Sequence, residues 1–91
     1  MPENQTVSSI DYDDAGDVLR VMFGGRSLDE ATLTVAFDGG DRLVHYTADG
    51  VPVAMEFPHA SRGLDLDGAP HGQLIAEAAA RYGLPAGGAA R

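Results

Sequence analysis

Short runs in which apolar and polar residues alternate, separated by turns rich in aspartate and glycine, fill the first two thirds of the chain. Alternation with a period of two places successive side chains on opposite faces of a strand. The pattern predicts five strands, at residues 8–12, 17–23, 32–37, 42–47 and 51–57. The turn at 38–41 is the clearest, because its Asp-Gly and Gly-Gly pairs tolerate positive φ.

The periodicity changes to that of a helix near the C-terminus. Pro70 suits a first-turn position, and Gly83 and Pro85 form a stop signal. An apolar stripe at helical spacing consists of Leu74, Ile75, Ala78, Ala79 and Tyr82. The sequence therefore predicts a helix over about 70–82, after a loop at 59–68. The expected fold class is α+β, a small antiparallel β-meander of about five short strands followed by one C-terminal helix.

The length of 91 residues indicates one domain. We expect that domain to span residues 8–84. A polar N-terminal segment, 1–7, and a small-residue C-terminal tail, 85–91, are expected to be flexible.

Charge is the most informative bulk property. Fourteen acidic residues face six arginines and no lysine, which gives a net charge of −8. Such a surface repels nucleic-acid phosphates and anionic membranes, so we expect neither as a direct partner. It favours a basic protein partner or a cation, although solubility alone would explain the same composition.

The chain contains no cysteine, which excludes a disulfide scaffold, a thiolate zinc site and a cysteine nucleophile. Residues 1–10 lack the basic and apolar regions of a signal peptide. No apolar run approaches the roughly 20 residues of a membrane-spanning helix. These features predict a cytoplasmic protein.

Four aspartates cluster around the first predicted hairpin, and they are the candidate partner-binding residues: Asp11, Asp13, Asp14 and Asp17. A calcium loop starting at Asp11 would require an oxygen ligand at its fifth position and a glutamate at its twelfth. Those positions hold Ala15 and Met22, so the cluster fails as an EF-hand and is better explained as a hairpin turn.

An alternative constellation lies in and beyond the loop at 59–68. His59, His71, Asp65 and Asp67 would be the ligands of a small metal-dependent hydrolase if that loop folded back. Asp65 and Asp67 are also explained as negative charge ahead of a helix N-terminus. Ser61 lies two residues from His59, but the nucleophile elbow of a hydrolase is absent. We expect no cofactor, no metal site and no enzymatic activity.

Apolar residues on the nominal outer face of the sheet predict self-association. Val18, Met22, Val44 and Tyr46 carry this expectation of a homodimer. A structural subunit of a larger assembly is the other interpretation of the same surface.

Two segments carry a family resemblance: residues 10–23, with Tyr12-Asp-Asp-Ala-Gly-Asp17, and residues 46–61, with Asp49-Gly50, Glu56 and Ala60-Ser61. Together they resemble the small bacterial domain-of-unknown-function family 2283. Its members open with a Tyr-Asp-x-x-Ala-Asp hairpin and close with an Asp-Gly-x-x-Val-x-x-Glu-x-x-x-Ala-Ser stretch. The resemblance covers about half the chain and implies a non-enzymatic module. Some members of that family are encoded beside small putative ribonuclease-type toxins, so it also implies an antitoxin-like role.

Overall fold

The computed structural model describes residues 6–66 and 69–87. These residues form one α-helix and seven strands, together with short 3-10 helices at Leu28–Glu30, Asp38–Gly40 and Ala60–Arg62. The elements follow the order β1 (Val7–Asp13), β2 (Val18–Phe23), β3 (Leu33–Phe37), β4 (Arg42–Tyr46), β5 (Pro52–Pro58), β6 (Leu64–Asp65), α1 (Gly72–Arg81) and β7 (Ala86–Gly87). The predicted α+β class, an antiparallel sheet followed by one helix, is confirmed. No helix among the described residues has the length and apolar character needed to cross a bilayer.

The main sheet has the strand order β1-β2-β5-β4-β3, and every neighbouring pair is antiparallel. It combines the β1–β2 hairpin with a β3–β4–β5 meander. Pairing between β2 and β5 joins them, with Leu19 opposite Phe57 and Val21 opposite Met55. The connection at 24–32 leads from β2 to the far edge of the sheet, so β3 and β1 are its two edge strands.

The hydrophobic core lies between the inner face of this sheet and α1. The predicted alternation is confirmed at its centre, because Leu19, Val21 and Phe23 of β2 are buried, as are Val53, Met55 and Phe57 of β5. Ile75 and Ala79 of α1 pack into the same cluster. Burial of a large apolar side chain contributes about 1.5–3 kcal/mol, so these three elements supply most of the apolar stabilisation.

The helix ends as the sequence predicts. The N–H of Leu84 bonds to the carbonyl of Ala79 at 2.9 Å, and the N–H of Gly83 to that of Ala80 at 3.1 Å. This is a Schellman motif, and Gly83 supplies its left-handed residue with φ of 73°. The helix begins at Gly72 and not at Pro70 because His71, at φ of 58°, breaks the helical backbone.

The prediction for the faces of β4 is wrong. Val44 was expected on the outer face, but it lies opposite Met55 and is only 9% exposed within the core. Tyr46 also packs against the core. The error arises because Leu43 and Val44 are both apolar, so alternation alone does not choose a face. Val18 and Met22 do lie on the outer face, where both are half-buried.

Regular structure extends beyond the predicted limits of 8–84 at both ends. Val7 opens β1, and Ala86–Gly87 pairs in parallel with Leu64–Asp65 as a second, two-stranded sheet. Residues 1–5 and 88–91 of the expected flexible ends lie outside the described residues.

Candidate functional site

The turn between β1 and β2 is built by one of the four candidate aspartates. Asp13 Oδ1 accepts the backbone N–H groups of Ala15 at 3.1 Å and Gly16 at 3.3 Å. An aspartate side chain that bonds the backbone two residues on is a standard way of fixing a tight turn. One oxygen of the Asp13 carboxylate therefore helps to fix the backbone of the hairpin turn.

Asp17 is held by a larger set of hydrogen bonds. Its Oδ1 accepts the Tyr12 hydroxyl at 2.7 Å and the backbone N–H of Ser61 at 2.8 Å. Its Oδ2 accepts the Ser61 hydroxyl at 2.6 Å, and its carbonyl accepts the N–H of Ala60 at 3.0 Å. We call this group, formed by Tyr12, Asp17, Ala60 and Ser61, the Asp17 clasp. It ties the hairpin turn to the end of β5.

The register of the sheet and two left-handed residues bring the clasp together. Val18 lies opposite Pro58, so the residues flanking them on β2 and β5 meet at this end of the sheet. Asp17 has φ of 56° and His59 has φ of 57°. Aspartate and histidine are among the non-glycine residues that adopt this conformation most readily. The two bends turn the carboxylate of Asp17 and the backbone of Ser61 toward each other.

The clasp shifts two ionisation equilibria. Hydrogen bonds from the Ser61 hydroxyl and from Tyr12 lower the pKa of Asp17 below its ordinary 3.8, because both donors favour the carboxylate. The hydrogen bond that Tyr12 donates to Asp17, together with burial, raises the pKa of Tyr12 above its ordinary 10.0. The clasp is thus intact at neutral pH, with Asp17 ionised and Tyr12 protonated.

Asp11 and Asp14 are exposed, as Asp13 is, but they differ from Asp13 and Asp17 in taking no part in the hydrogen bonds of the turn and the clasp. Asp14 lies in the turn itself, and Asp11 lies in β1 opposite Arg20. The four predicted residues therefore divide into two that shape the turn, Asp13 and Asp17, and two that present charge to solvent. We refer to residues 11–17 as the acidic hairpin.

A polar network that sequence reasoning missed crosses the outer face of the sheet. Arg20 of β2 donates its Nε–H to Glu56 Oε2 at 2.6 Å. Glu56 Oε1 is 2.8 Å from His45 Nε2, and His45 Nδ1 is 2.7 Å from the Thr34 hydroxyl. The outer-face network, Arg20, Glu56, His45 and Thr34, therefore joins four neighbouring strands.

The chemistry of this network follows from its donors and acceptors. An ionised carboxylate only accepts, so the Nε2–H of His45 donates to Glu56, and Nδ1 of the same ring lies against the Thr34 hydroxyl. Burial alone would raise the pKa of Glu56, but the hydrogen bonds from His45 and Arg20 outweigh burial and lower it below 4.5. The order hydroxyl, imidazole and carboxylate matches that of a nucleophile, its base and an orienting acid. We assign the network a structural role, since each side chain satisfies its neighbour across the sheet.

A cavity of about 290 Å³ lies at the clasp end of the sheet. Its ionisable lining residues are Asp41, His59, Arg62 and Asp65, and Phe57 also lines it. The mixed charges suit a polar side chain better than an apolar ligand. Ser61 is next to this cavity in sequence, but its hydroxyl is committed to Asp17 and not to His59.

The structure does not assemble the constellation proposed for a hydrolase. His71 packs its ring 6.0 Å from that of Phe23, whereas His59 follows β5 at the opposite end of the sheet. Five residues of extended strand separate those two ends, a distance of about 17 Å. Asp67, the remaining member besides Asp65, lies outside the described residues. Within 6–66 and 69–87, no three His, Cys, Asp or Glu side chains converge as metal ligands would.

No family model, curated protein or solved structure matches the chain. The similarity to family 2283 therefore stays a prediction from two sequence segments. In the fold, those segments are neighbours: Asp17 of the first bonds to Ser61 of the second, and Arg20 pairs with Glu56.

Proposed function

We propose that this chain is a small acidic, non-enzymatic binding module that docks a basic protein partner through the acidic hairpin. In this proposal Asp11 and Asp14 contact the partner, whereas Asp13 and Asp17 hold the turn that presents them. The observation that carries the proposal is the Asp17 clasp, in which Ser61 supplies two hydrogen bonds to one carboxylate of the hairpin.

The clasp supports binding because it fixes the hairpin before any partner arrives. A surface loop that must become ordered on binding loses conformational entropy, and a preorganised one avoids much of that cost. The turn of the acidic hairpin is anchored from within by Asp13 and from the 3-10 helix Ala60–Arg62 by Ser61. Its exposed carboxylates are therefore presented on a fixed backbone.

The charge distribution supports a cationic partner. Arg20 directs its guanidinium to Glu56, and Arg26 pairs with Glu30 at 3.1 Å, so these arginines are engaged away from the turn. The four carboxylates of the hairpin contribute to the net charge of −8. Complementary charge steers association and excludes acidic competitors more than it adds affinity.

The resemblance to family 2283 supports a narrower version of the same role. If the partner is a small basic toxin, docking an acidic hairpin onto it would neutralise its nucleic-acid-binding surface. This antitoxin-like hypothesis rests on the family resemblance, whereas docking of a basic protein partner is proposed from the charge distribution without it.

A charge-reversal experiment tests the proposal. The tagged chain captures proteins from source-cell lysate at low salt, the captured protein is identified by mass spectrometry, and its purified form is titrated calorimetrically. The double variant Asp11→Lys/Asp14→Lys is compared with Asp49→Lys/Glu77→Lys, which makes the same charge change at two exposed positions outside the acidic hairpin.

We expect Asp11→Lys/Asp14→Lys to bind the captured partner about tenfold more weakly than the wild type does, and Asp49→Lys/Glu77→Lys to lose much less affinity. Equal losses in both variants would show a response to net charge alone. Unchanged binding by the hairpin variant would place the docking surface elsewhere.

A further inference from the structure

The two edges of the main sheet are built differently. β1 carries Asp11 and Asp13 and has a register irregularity between Val7 and Ser9. The Tyr82 hydroxyl also bonds to the carbonyl of Ile10 at 3.3 Å. Charges, bulges and covering groups are the features that keep an edge strand from pairing with another chain.

β3 has none of these protections in its sequence or its register. Its five residues, Leu33-Thr-Val-Ala-Phe37, include no charge and no proline. They pair with β4 without any register shift. An uncharged, regular edge strand is a template for adding a further strand.

The inner-facing side chains of β3 are incompletely covered. Leu33 is 55% exposed and lies outside the core cluster, and Val35 is only half-buried. Phe37 packs at the margin of the core, with the Arg42 guanidinium 5.3 Å from its ring centre. An apolar stripe therefore continues to the open edge of the sheet.

We infer that β3 is the homodimer interface, at which β3 of a second copy adds in antiparallel register about a two-fold axis at Val35. This register is self-complementary, since Val35 faces Val35 of the second copy and Leu33 faces its Phe37. On the other face, Thr34 meets Ala36 of the second copy. The inner faces of both subunits then lie on the same side of a continuous ten-stranded sheet.

Charge favours a second copy at the β3 edge of the main sheet over the β1 edge. A chain of net charge −8 repels its own copies, but β3 is uncharged. In the ten-stranded sheet the two β1 strands are nine strand spacings apart, about 43 Å. That separation is several times the Debye length of about 8 Å at physiological salt, so the acidic hairpins do not oppose the pairing.

The test uses opposite charges at the two-fold axis. Sedimentation velocity is measured at micromolar concentration for the wild type, Val35→Lys, Val35→Asp and an equimolar mixture of the two variants. Leu74→Lys is the control, because Leu74 is an exposed large apolar residue of α1, at 43% exposure. Far-UV circular dichroism establishes that each variant is folded.

We expect the wild type and Leu74→Lys to sediment as dimers of about twice 9.5 kDa. Each Val35 variant alone is expected to be monomeric, and the mixture to dimerise again, because lysine then faces aspartate across the axis. A monomeric wild type would overturn the inference, even if that monomer bound a foreign extended peptide at β3. The inference would also be overturned if Leu74→Lys were monomeric, if Val35→Lys were dimeric, or if the mixture of folded Val35 variants remained monomeric.

Discussion

Ser61 donates both its backbone N–H and its hydroxyl to the carboxylate of Asp17, at 2.8 and 2.6 Å, across 44 residues of sequence. This pair closes one end of the sheet, because Asp17 precedes β2 and Ser61 follows β5. It also fixes the backbone of the acidic hairpin. The stability of that end of the molecule should therefore depend on the Ser61 side chain.

Removing the Ser61 hydroxyl should destabilise the fold. Ser61→Ala leaves one oxygen of Asp17 without its 2.6 Å donor, so the midpoint of thermal unfolding should fall by several degrees. Ser9→Ala removes an exposed hydroxyl from β1 and is the matched control. Equal melting temperatures for Ser61→Ala and Ser9→Ala, measured by circular dichroism, would contradict the clasp.

Acid should lower the free energy of unfolding of the wild type more than that of a variant without the Asp17 charge. Because the folded pKa of Asp17 is lowered, its stabilising contribution is present above the unfolded value of 3.8 and is lost as pH falls through the folded pKa. Urea unfolding of the wild type and Asp17→Asn between neutral pH and pH about 3 measures the difference. The gap between the two unfolding free energies should shrink below about pH 4; a gap that stays constant would refute the assignment.

Alkaline pH should destabilise the fold by ionising Tyr12, a hydroxyl donor of the clasp. The folded pKa of Tyr12 is raised, so its contribution is present below 10.0 and is lost as pH rises through the folded value. Tyr12→Phe retains the ring, whose centre lies 5.8 Å from that of Tyr82, but has no proton to lose. The difference in unfolding free energy between the wild type and Tyr12→Phe should therefore shrink above pH 10. If the unfolding free energies of the two proteins changed in parallel with pH in that range, the Tyr12–Asp17 hydrogen bond would not contribute to stability.

The outer-face network gives a prediction for Glu56. Glu56→Ala removes the acceptor for Arg20 and His45, so the free energy of unfolding should fall by about 1–2 kcal/mol. Glu77→Ala, which removes an exposed carboxylate from α1, should change it by less than about 0.5 kcal/mol. Chemical denaturation of the two variants makes the comparison, and similar small changes would show that the network adds nothing to stability.

Much of the fold was predictable because its local signals agree. Leu19, Val21 and Phe23 alternate cleanly between glycine- and aspartate-rich turns, and their burial follows. Gly83 marks the end of α1 because few other residues adopt its left-handed conformation at low cost. At Val44 the local signal was ambiguous, and only the register with Met55 determined its face.

The site depended on non-local pairing that the sequence does not encode at short range. Asp17 and Ser61 meet only because β5 inserts beside β2, and strand order was not predictable. The same strand order separates His59 from His71 and brings Glu56 between Arg20 and His45. β6 and β7 have two residues each, which is too short for a periodic pattern.

Docking of a basic partner by the acidic hairpin should depend strongly on ionic strength. The association rate of the captured, purified partner is measured by stopped flow between about 50 and 200 mM salt, a range over which the Debye length falls by half. We expect the wild-type rate to fall several-fold with salt, Asp11→Lys/Asp14→Lys to flatten this dependence, and Asp49→Lys/Glu77→Lys largely to preserve it. A wild-type rate that does not change with salt would rule out docking through the acidic hairpin.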